Sequence, residues 1–482
     1  MTGTSSESGA VDGARQQRLW KWWLAAIALF AFGLRVFPFF GPEGAWSLHV
    51  DYDEGVYFSS AAWWSEGVWP WRDFFFVHPP GHLVFLLITS VWTKGFLGLS
   101  GAFAVARWVA AIVGATTTVL VGVTVSRVPR APLGASLLAA LLYATYPELV
   151  QVERGPFIEP LLNLVCVSGA LWVTSERRLA PLFAGVCFGL AVAVKILAAP
   201  WAVAAVVAMA LRSRRDLGLV VLGGALGGLL GFAPVFVAPG AYLDQGFLFH
   251  LHRPPDGDIA RLPRLLEIVT VRHLASPLLA AASLVILAVR RRFDSPLVPL
   301  ATLAWLGTLT TLLSASAYWN QHNSHLIASE ALLAGVALAA FPPRLRAVVM
   351  IATFVSIWTS ANHSIRRLDH DQSHFTIARS PLATDPGCVY AFEPSWLIAA
   401  NRLVPKETGP MIDSYATLLA EATKGGRRFE NVSHAFYSVT MPPALASCRT
   451  LVLGDRGTWE LNPDQLRLTH HPAGDGSSTW VR

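Results

Sequence analysis

The feature that most limits what this chain can become is the length of its uncharged or nearly uncharged apolar runs. They lie at about 22–40, 103–126, 132–147, 160–174, 180–199, 200–211, 217–238, 274–289, 296–314, 326–341 and 346–361. Most approach the ~20 residues that cross a hydrocarbon core as a helix. A further apolar stretch, 81–99, is interrupted by Lys94 and several glycines, and from about residue 362 charged residues, prolines and short alternating runs take over. Composition agrees: only 14% of residues are charged, against about 25% in an ordinary soluble protein. This balance excludes a basic nucleic-acid-binding protein, a disordered chain and a disulfide-rich secreted module.

Basic residues orient the spans. With eleven spans, and 81–99 left out, alternate loops are basic: Arg15, Arg18 and Lys21; Arg127 and Arg130; Arg177 and Arg178; Arg212, Arg214 and Arg215; Arg290, Arg291 and Arg292; Arg344 and Arg346. These six sites belong to the cytoplasmic side, and the other loops and the tail to the outside. Counting 81–99 as a span would put every later cluster on the wrong face, so it reads as a juxtamembrane or re-entrant segment. The N-terminus lacks the small-residue cleavage site of a signal peptide, and residues 1–19 read as a disordered cytoplasmic leader. Almost all basic residues are Arg, a composition expected of a GC-rich bacterium, with the protein multi-pass in its plasma membrane.

The expected architecture is therefore an α-helical polytopic membrane domain, 20–361, followed by a small extracytoplasmic α/β domain, 362–482. In the tail, Cys388–Phe392 and Thr450–Leu453 read as strands, and segments near Ser395–Arg402 and Tyr415–Thr423 as helices. Cys388 and Cys448 share that oxidising location, where pairing and free thiols are both open; Cys166 and Cys187 lie in spans and read as small apolar residues. Asn362-His363-Ser364 and Asn431-Val432-Ser433 match the glycosylation sequon, idle in a bacterial cell.

Few charges remain outside the cytoplasmic loops, and they concentrate in the first outer loop. It runs His49-Val50-Asp51-Tyr52-Asp53-Glu54-Gly55-Val56-Tyr57 and continues through Trp69-Pro70-Trp71-Arg72-Asp73 to Phe74-Phe75-Phe76-Val77-His78-Pro79-Pro80. Asp51, Asp53 and Glu54 open a short amphipathic helix with Tyr57, Ala61 and Trp64 on one face, and the loop's aromatic residues suit a membrane interface. Three chemistries fit the carboxylates: capping of that helix, a general base for an acceptor hydroxyl, or hard oxygen ligands from Asp51 and Asp53 to a divalent cation.

An Asp-Glu pair after the first span, a Gly-x-Tyr beyond it and a His-Pro-Pro about 25 residues on resemble the GT-C glycosyltransferases. The nearest are the family 39 protein O-mannosyltransferases and the lipid A aminoarabinose transferases. The resemblance covers about 20–360 and implies about eleven transmembrane helices, with juxtamembrane helices in the first outer loop. Three further sites follow in order. Glu153-Arg154-Gly155-Pro156-Phe157-Ile158-Glu159-Pro160 is similar to the family's Arg…Asp-Pro stretch, with Glu159 where Asp is commoner. Lys195 ends a glycine-bearing span, and Tyr318-Trp319-Asn320-Gln321-His322-Asn323-Ser324-His325 stands where the family has a Tyr/His-rich loop.

The resemblance implies a polyprenyl-phosphate sugar donor, a lipid, glycan or protein acceptor, and no nucleic acid. Inverting transfer would use Asp53 as base, with Glu54 and Asp51 orienting the acceptor or tuning the base. As the sugar leaves, charge builds on the phosphate, and cations aimed at it lower the barrier. Arg72, His78, Arg154, Lys195, Arg253, His322 and His325 are candidates, with Glu159 beside them. Arg261, Arg264 and Arg272 either join these or line one loop helix. Lys195 can alternatively snorkel from a span end, and His322 with His325 can alternatively hold a metal. Arg35 and Arg107, inside spans, call for partners, Arg35 with Asp53 or Glu54. The loop 239–273, with His250, His252 and Arg253, could close over the lipid. No cofactor is required by this chemistry, a divalent cation being the open case. The competing readings are a lipid-linked oligosaccharide ligase or polymerase and a transporter or flippase; the lack of an internal repeat weighs against the last.

Overall fold

The computed structural model describes residues 5–41, 44, 51–129, 131–256, 263, 279–281, 284, 295–370, 381–406, 410–472 and 479–482. Helix α1 (Ser5–Val36) leads to the first loop, which holds α2 (Tyr52–Ser65) and α3 (Gly81–Thr89) before the long α4 (Lys94–Ser126). Then follow α5 (Leu133–Thr145), α6 (Pro147–Val152), α7 (Ile158–Val173), α8 (Ala180–Val194), α9 (Ala199–Arg212) and α10 (Arg214–Phe232). The bundle closes with α11 (Leu297–Ser314), α12 (Asn323–Ala340) and α13 (Pro343–His370). Five stretches (15–40, 81–126, 214–237, 297–314 and 323–340) are long and apolar enough to cross a bilayer. Most of the expected span 274–289, all but 279–281 and 284, lies outside the described residues, as do Arg130 and Arg290–Arg292.

The 81–99 part of the second stretch is broken into short pieces. Its helix α3 has nine residues, about 13 Å at 1.5 Å per residue, far short of a ~30 Å core. A 3-10 turn at Val91–Thr93 follows, and Gly98 then breaks the helix at φ 71°, a conformation that favours glycine. Lys94 pairs with Glu66 and donates to Ser65 Oγ at 2.6 Å, which fastens this segment to the end of α2.

Within the bundle, α12 is buried along most of its length while α10 lies at the periphery. Glycines bring α8 and α10 into backbone contact: a Cβ at Gly223 would collide with Leu182 O, at Gly227 with Val186 O and at Gly185 with Val220 O. Small residues four apart on both helices are the usual means of such close approach in lipid. At one end of the bundle the basic loops adjoin one another. Arg127 donates to Leu171 O at 3.0 Å and Arg212 to Ser175 O at 3.4 Å.

Two interior ion pairs answer the question of the span arginines. Arg35 pairs with Glu153, whose other oxygen accepts from Tyr143 Oη at 2.9 Å. Arg107 holds Glu54 at 2.7 Å and lies over the Phe103 ring at 4.2 Å. Arg35 thus departs from its expected partners: Glu54 is taken by Arg107, and Glu153, ten residues after Tyr143, meets Arg35 beside Gly114. A Cβ on Gly114 would overlap both members of that pair.

Helix α13 continues unbroken through residue 362 to His370. Beyond it, β1 (Val389–Ala391) pairs parallel with β2 (Thr450–Val452), while β3 (His471–Pro472) and β4 (Thr479–Val481) complete a sheet of order β1-β2-β4-β3. Cys388 and Cys448 form a disulfide immediately before the two parallel strands. The domain also contains α14 (Pro394–Ala399), α15 (Ser414–Thr423) and α16 (Gly454–Glu460). Asn431 of the second sequon caps a short helix, accepting from His434 N at 3.0 Å.

The tail packs directly on the first loop. A Cβ at Gly55 would overlap the Ser395 backbone of α14, so α2 is clasped between bundle and tail. Ten of its 14 residues are buried, which replaces the expected interfacial amphipathic helix with an interior one.

Candidate active site

Asp51 stands at the N-cap position of α2 without making a side-chain cap bond. Asp53, in the first turn, instead accepts from Gln321 Nε2 at 2.7 Å. Gln321 belongs to the turn Asn320–His322 that precedes α12, so residues 268 apart in sequence meet here. Glu54, the next residue, faces the opposite way into the Arg107 pair. The helix therefore divides its carboxylates: Asp51 and Asp53 face a cavity, and Glu54 is fully buried.

That cavity, of about 530 Å³, is lined by segments expected on one side of the membrane: the first loop, the α8–α9 turn, the 246–253 stretch, the 315–322 loop and the tail. One wall is basic. His78, Lys195, His250, Arg253 and His322 all reach it. Lys195, in the extended residue between α8 and the next turn, pairs with Glu159 Oε1 at 2.6 Å. The His78 ring adjoins Tyr57 Oη at 3.3 Å, and its neighbour Val77 offers its carbonyl to His250 Nε2 at 2.7 Å. Gln245 ties the same loop down, donating to Trp71 O and accepting from Phe76 N, both at 3.0 Å.

The other wall is acidic and aromatic, and the tail supplies much of it. Tyr52 Oη donates to Asp413 Oδ1 at 3.0 Å. Tyr415 Oη donates to Asp256 Oδ2 at 2.6 Å, and Arg253 reaches the Tyr415 oxygen at 2.7 Å. Arg456 of α16 lies over the Tyr52 ring at 4.3 Å and approaches Glu460 at 3.6 Å.

Burial and the Asp51 carboxylate push Asp53 up to about 7, against an opposing pull from Arg456. That value suits a proton acceptor near neutral pH. Burial, reinforced by Lys195, holds His78 and His322 well below the usual imidazole range, and burial brings His250 to about 4 despite its bond to Val77 O. This side of the cavity therefore presents neutral imidazoles beside Lys195 and Arg253.

Several expected site residues fall elsewhere. Arg72 lies at the surface, bonded to Asp73 at 2.7 Å, because the turn Trp69–Asp73 aims it away from the cavity. Arg154 is 6% exposed and His325 fully buried, the latter bonded to Asn163 Oδ1 at 2.8 Å; neither lines the cavity. Glu159 acts on it through Lys195. Arg261, Arg264 and Arg272 lie outside the described residues. Among the described residues no group of three or more His, Cys, Asp or Glu is arranged to hold a metal ion; Asp51, Asp53 and Asp413 are the carboxylates that line the cavity. Tyr52 and Gln321 lie within the quoted motifs but carry no role there, and no motif marks Asp413, Tyr415 or Arg456, since each depends on contacts more than 100 residues away.

Among solved structures, the chain is similar to ArnT from Cupriavidus metallidurans in the apo state, with TM-score 0.58 and 15% identity over 81% of this chain and 86% of that one. The fold is GT-C. ArnT bound to undecaprenyl phosphate matches with TM-score 0.50 and 16% identity, covering 84% of this chain and 69% of ArnT. The archaeal oligosaccharyltransferase AglB from Archaeoglobus fulgidus, in complex with an inhibitory peptide and a dolichol-phosphate, matches with TM-score 0.55 and 13% identity. There the match covers 81% of this chain and 64% of AglB. No family model and no curated protein matches the sequence.

Proposed function

We propose that this GT-C protein transfers a sugar from a polyprenyl-phosphate carrier to an acceptor hydroxyl, with inversion, on the outer face of the membrane. The observation that carries the reading is one cavity lined both by the carboxylates of Asp51, Asp53 and Asp413 and by Lys195, Arg253, Arg456 and three histidines. Asp53 takes the acceptor O–H proton as the acceptor oxygen attacks the anomeric carbon. The bond from that carbon to the phosphate oxygen breaks, and the polyprenyl phosphate leaves with its new charge against Lys195, Arg253 and the imidazoles of His78, His250 and His322. Donors pre-aimed at developing charge are the largest ordinary source of rate enhancement. Asp51 sustains the basicity of Asp53 by like-charge proximity, and Glu54, locked by Arg107, anchors the helix that carries both. The basic loops at the opposite end support a cytoplasmic N-terminus and an outer tail. A divalent cation, if one binds, would use Asp51 and Asp53, whose hard oxygens suit it.

The test uses purified Asp53→Asn with a panel of undecaprenyl-phosphate sugars. Retained donor binding with lost transfer is the expected result; near-normal turnover ends the assignment. Consumption of diphosphate-linked donors alone would move the protein to the ligase class, and consumption of none would favour transport.

A further inference from the structure

Three polar side chains close a triangle where the membrane domain meets the tail. Arg253 Nη2 donates to Tyr415 Oη at 2.7 Å, and Tyr415 Oη donates to Asp256 Oδ2 at 2.6 Å. The third side, from Arg253 Nη2 to the same Asp256 oxygen, is 3.2 Å. Bonds from a guanidinium to a carboxylate ordinarily measure about 2.7–2.9 Å and are often bidentate. Here the pair is longer and meets through one nitrogen and one oxygen, because the phenol oxygen takes the short contact to each partner. A hydroxyl suits that place: it accepts from the cation with a lone pair and gives its single proton to the anion. Burial holds the Tyr415 hydroxyl above the usual phenol range, so it keeps that proton.

Each corner is fixed from a different part of the chain. Asp256 N donates to Ser316 O at 3.0 Å, which ties the segment bearing Arg253 to the loop before α12. Tyr415 lies in the first turn of α15, and its backbone N–H donates to Tyr52 Oη at 3.3 Å. Asp413 caps the same helix through Ala416 N at 2.9 Å and accepts from Tyr52 Oη at 3.0 Å. The phenol is therefore placed from α2, the helix that carries Asp53, and its ring packs edge-on to Phe436 at 5.3 Å. Arg253 and Tyr415 line the cavity, whereas Asp256 is 5% exposed and does not.

We propose that Tyr415 is a positioning residue for Arg253: standing between the guanidinium and Asp256, it keeps that cation from closing onto its neighbouring carboxylate and reserves its charge for the phosphate of the lipid carrier. The purpose assigned to the triangle rests on the reading of the cavity as a lipid-phosphate site. Arg253 and Asp256 are three residues apart, close enough to neutralise each other unaided. The spacer that prevents it comes from the tail, so lipid affinity depends on a domain outside the membrane.

The experiment reads lipid binding without transfer. The full-length protein in detergent is titrated with undecaprenyl phosphate and, separately, with undecaprenol, which lacks the anion, and bound lipid is quantified by native mass spectrometry. The wild type is expected to prefer the phosphate. Tyr415→Phe keeps the ring and removes the oxygen. Its affinity for undecaprenyl phosphate should fall by about tenfold to a hundredfold, the scale of one hydrogen bond to a charged group, with undecaprenol binding unchanged. Asp256→Asn removes the competing charge, so adding Tyr415→Phe to it should cost little further phosphate affinity, the non-additivity expected of residues in one network. A merely structural role would lower the affinity for both lipids alike, in either background, together with the melting temperature. That result overturns the proposal, as does an unchanged phosphate preference in Tyr415→Phe, even if the wild type transfers sugar. A phosphate preference that is lost in Tyr415→Phe and regained with Asp256→Asn, in a protein that consumes no sugar donor, sustains it while the transferase reading falls.

Discussion

At the residue scale, neighbouring carboxylates on one helix have separate fates because helical spacing turns them to different faces. Asp53 faces the cavity and Glu54 faces Arg107, although they are adjacent in sequence. The expected consequences separate cleanly. Asp53→Asn should lower kcat by about 10²–10⁴, the usual contribution of a general base, with donor binding retained in equilibrium measurements. Glu54→Gln should leave the pH profile in place while reducing yield and melting temperature. Removing one partner of a buried pair costs about 3–5 kcal/mol, so Arg107→Ala should be damaging in the same way. Since Asp53 sits at about 7, its working form is the ionised one. Turnover should therefore fall as pH drops through about 7, and a flat profile between pH 8 and 5.5, which spans roughly the interval over which such a base protonates, would remove Asp53 from the role. Lys195→Gln should cost about 10²–10³ in kcat, the scale seen when one donor to developing charge is lost.

At the scale of elements, much of the membrane domain could be read from apolar run length, and the interrupted segment 81–99 could be set apart because Lys94 and its glycines broke the run. The close contact between α8 and α10 was present as glycines, but nothing in one sequence says which faces of which helices they join. The same limit hid Arg35's partner. Glu153 appeared to be one member of a loop motif, and only the packing of α1 against α4 and the following loop brings it to Arg35. The four strands of the tail have two or three residues each, too short for β3 and β4 to show the alternation on which a strand is recognised. The helix contact has its own test. Gly227→Leu would force side-chain atoms against the Val186 backbone, which cannot yield as a side chain can. Overpacking of this kind costs about 1–3 kcal/mol or more, measurable as a lower melting temperature in detergent, whereas Gly228→Leu, with nothing within 4 Å, should be tolerated.

For the whole molecule, the chief finding is that the tail belongs to the cavity. The first loop announced its chemistry through dense carboxylates and aromatics, but the tail's share could not be seen, because Asp413, Tyr415 and Arg456 look like ordinary domain residues until α2 docks on α14. Docking depends on the missing side chain at Gly55. Gly55→Val should therefore separate the tail from α2 and weaken transfer while leaving the tail's own sheet folded. Limited proteolysis should then cut more readily between 371 and 410, and an unaltered digest with full activity would speak against this coupling. The disulfide closes a loop of 60 residues between the parallel strands. Replacing both cysteines by serine should cost the tail about 2–4 kcal/mol, seen as earlier unfolding under denaturant.

The space left at Gly114 constrains how this protein can change over generations. Arg35, Gly114 and Glu153 come from three distant parts of the chain, yet the ion pair occupies the volume a side chain at 114 would need. A lineage that acquires alanine at 114 first must displace the pair, and one that loses either charge first strands the other in the interior. Neither single step is neutral, so descendants should keep all three residues or replace them together, typically by apolar side chains that fill the same volume.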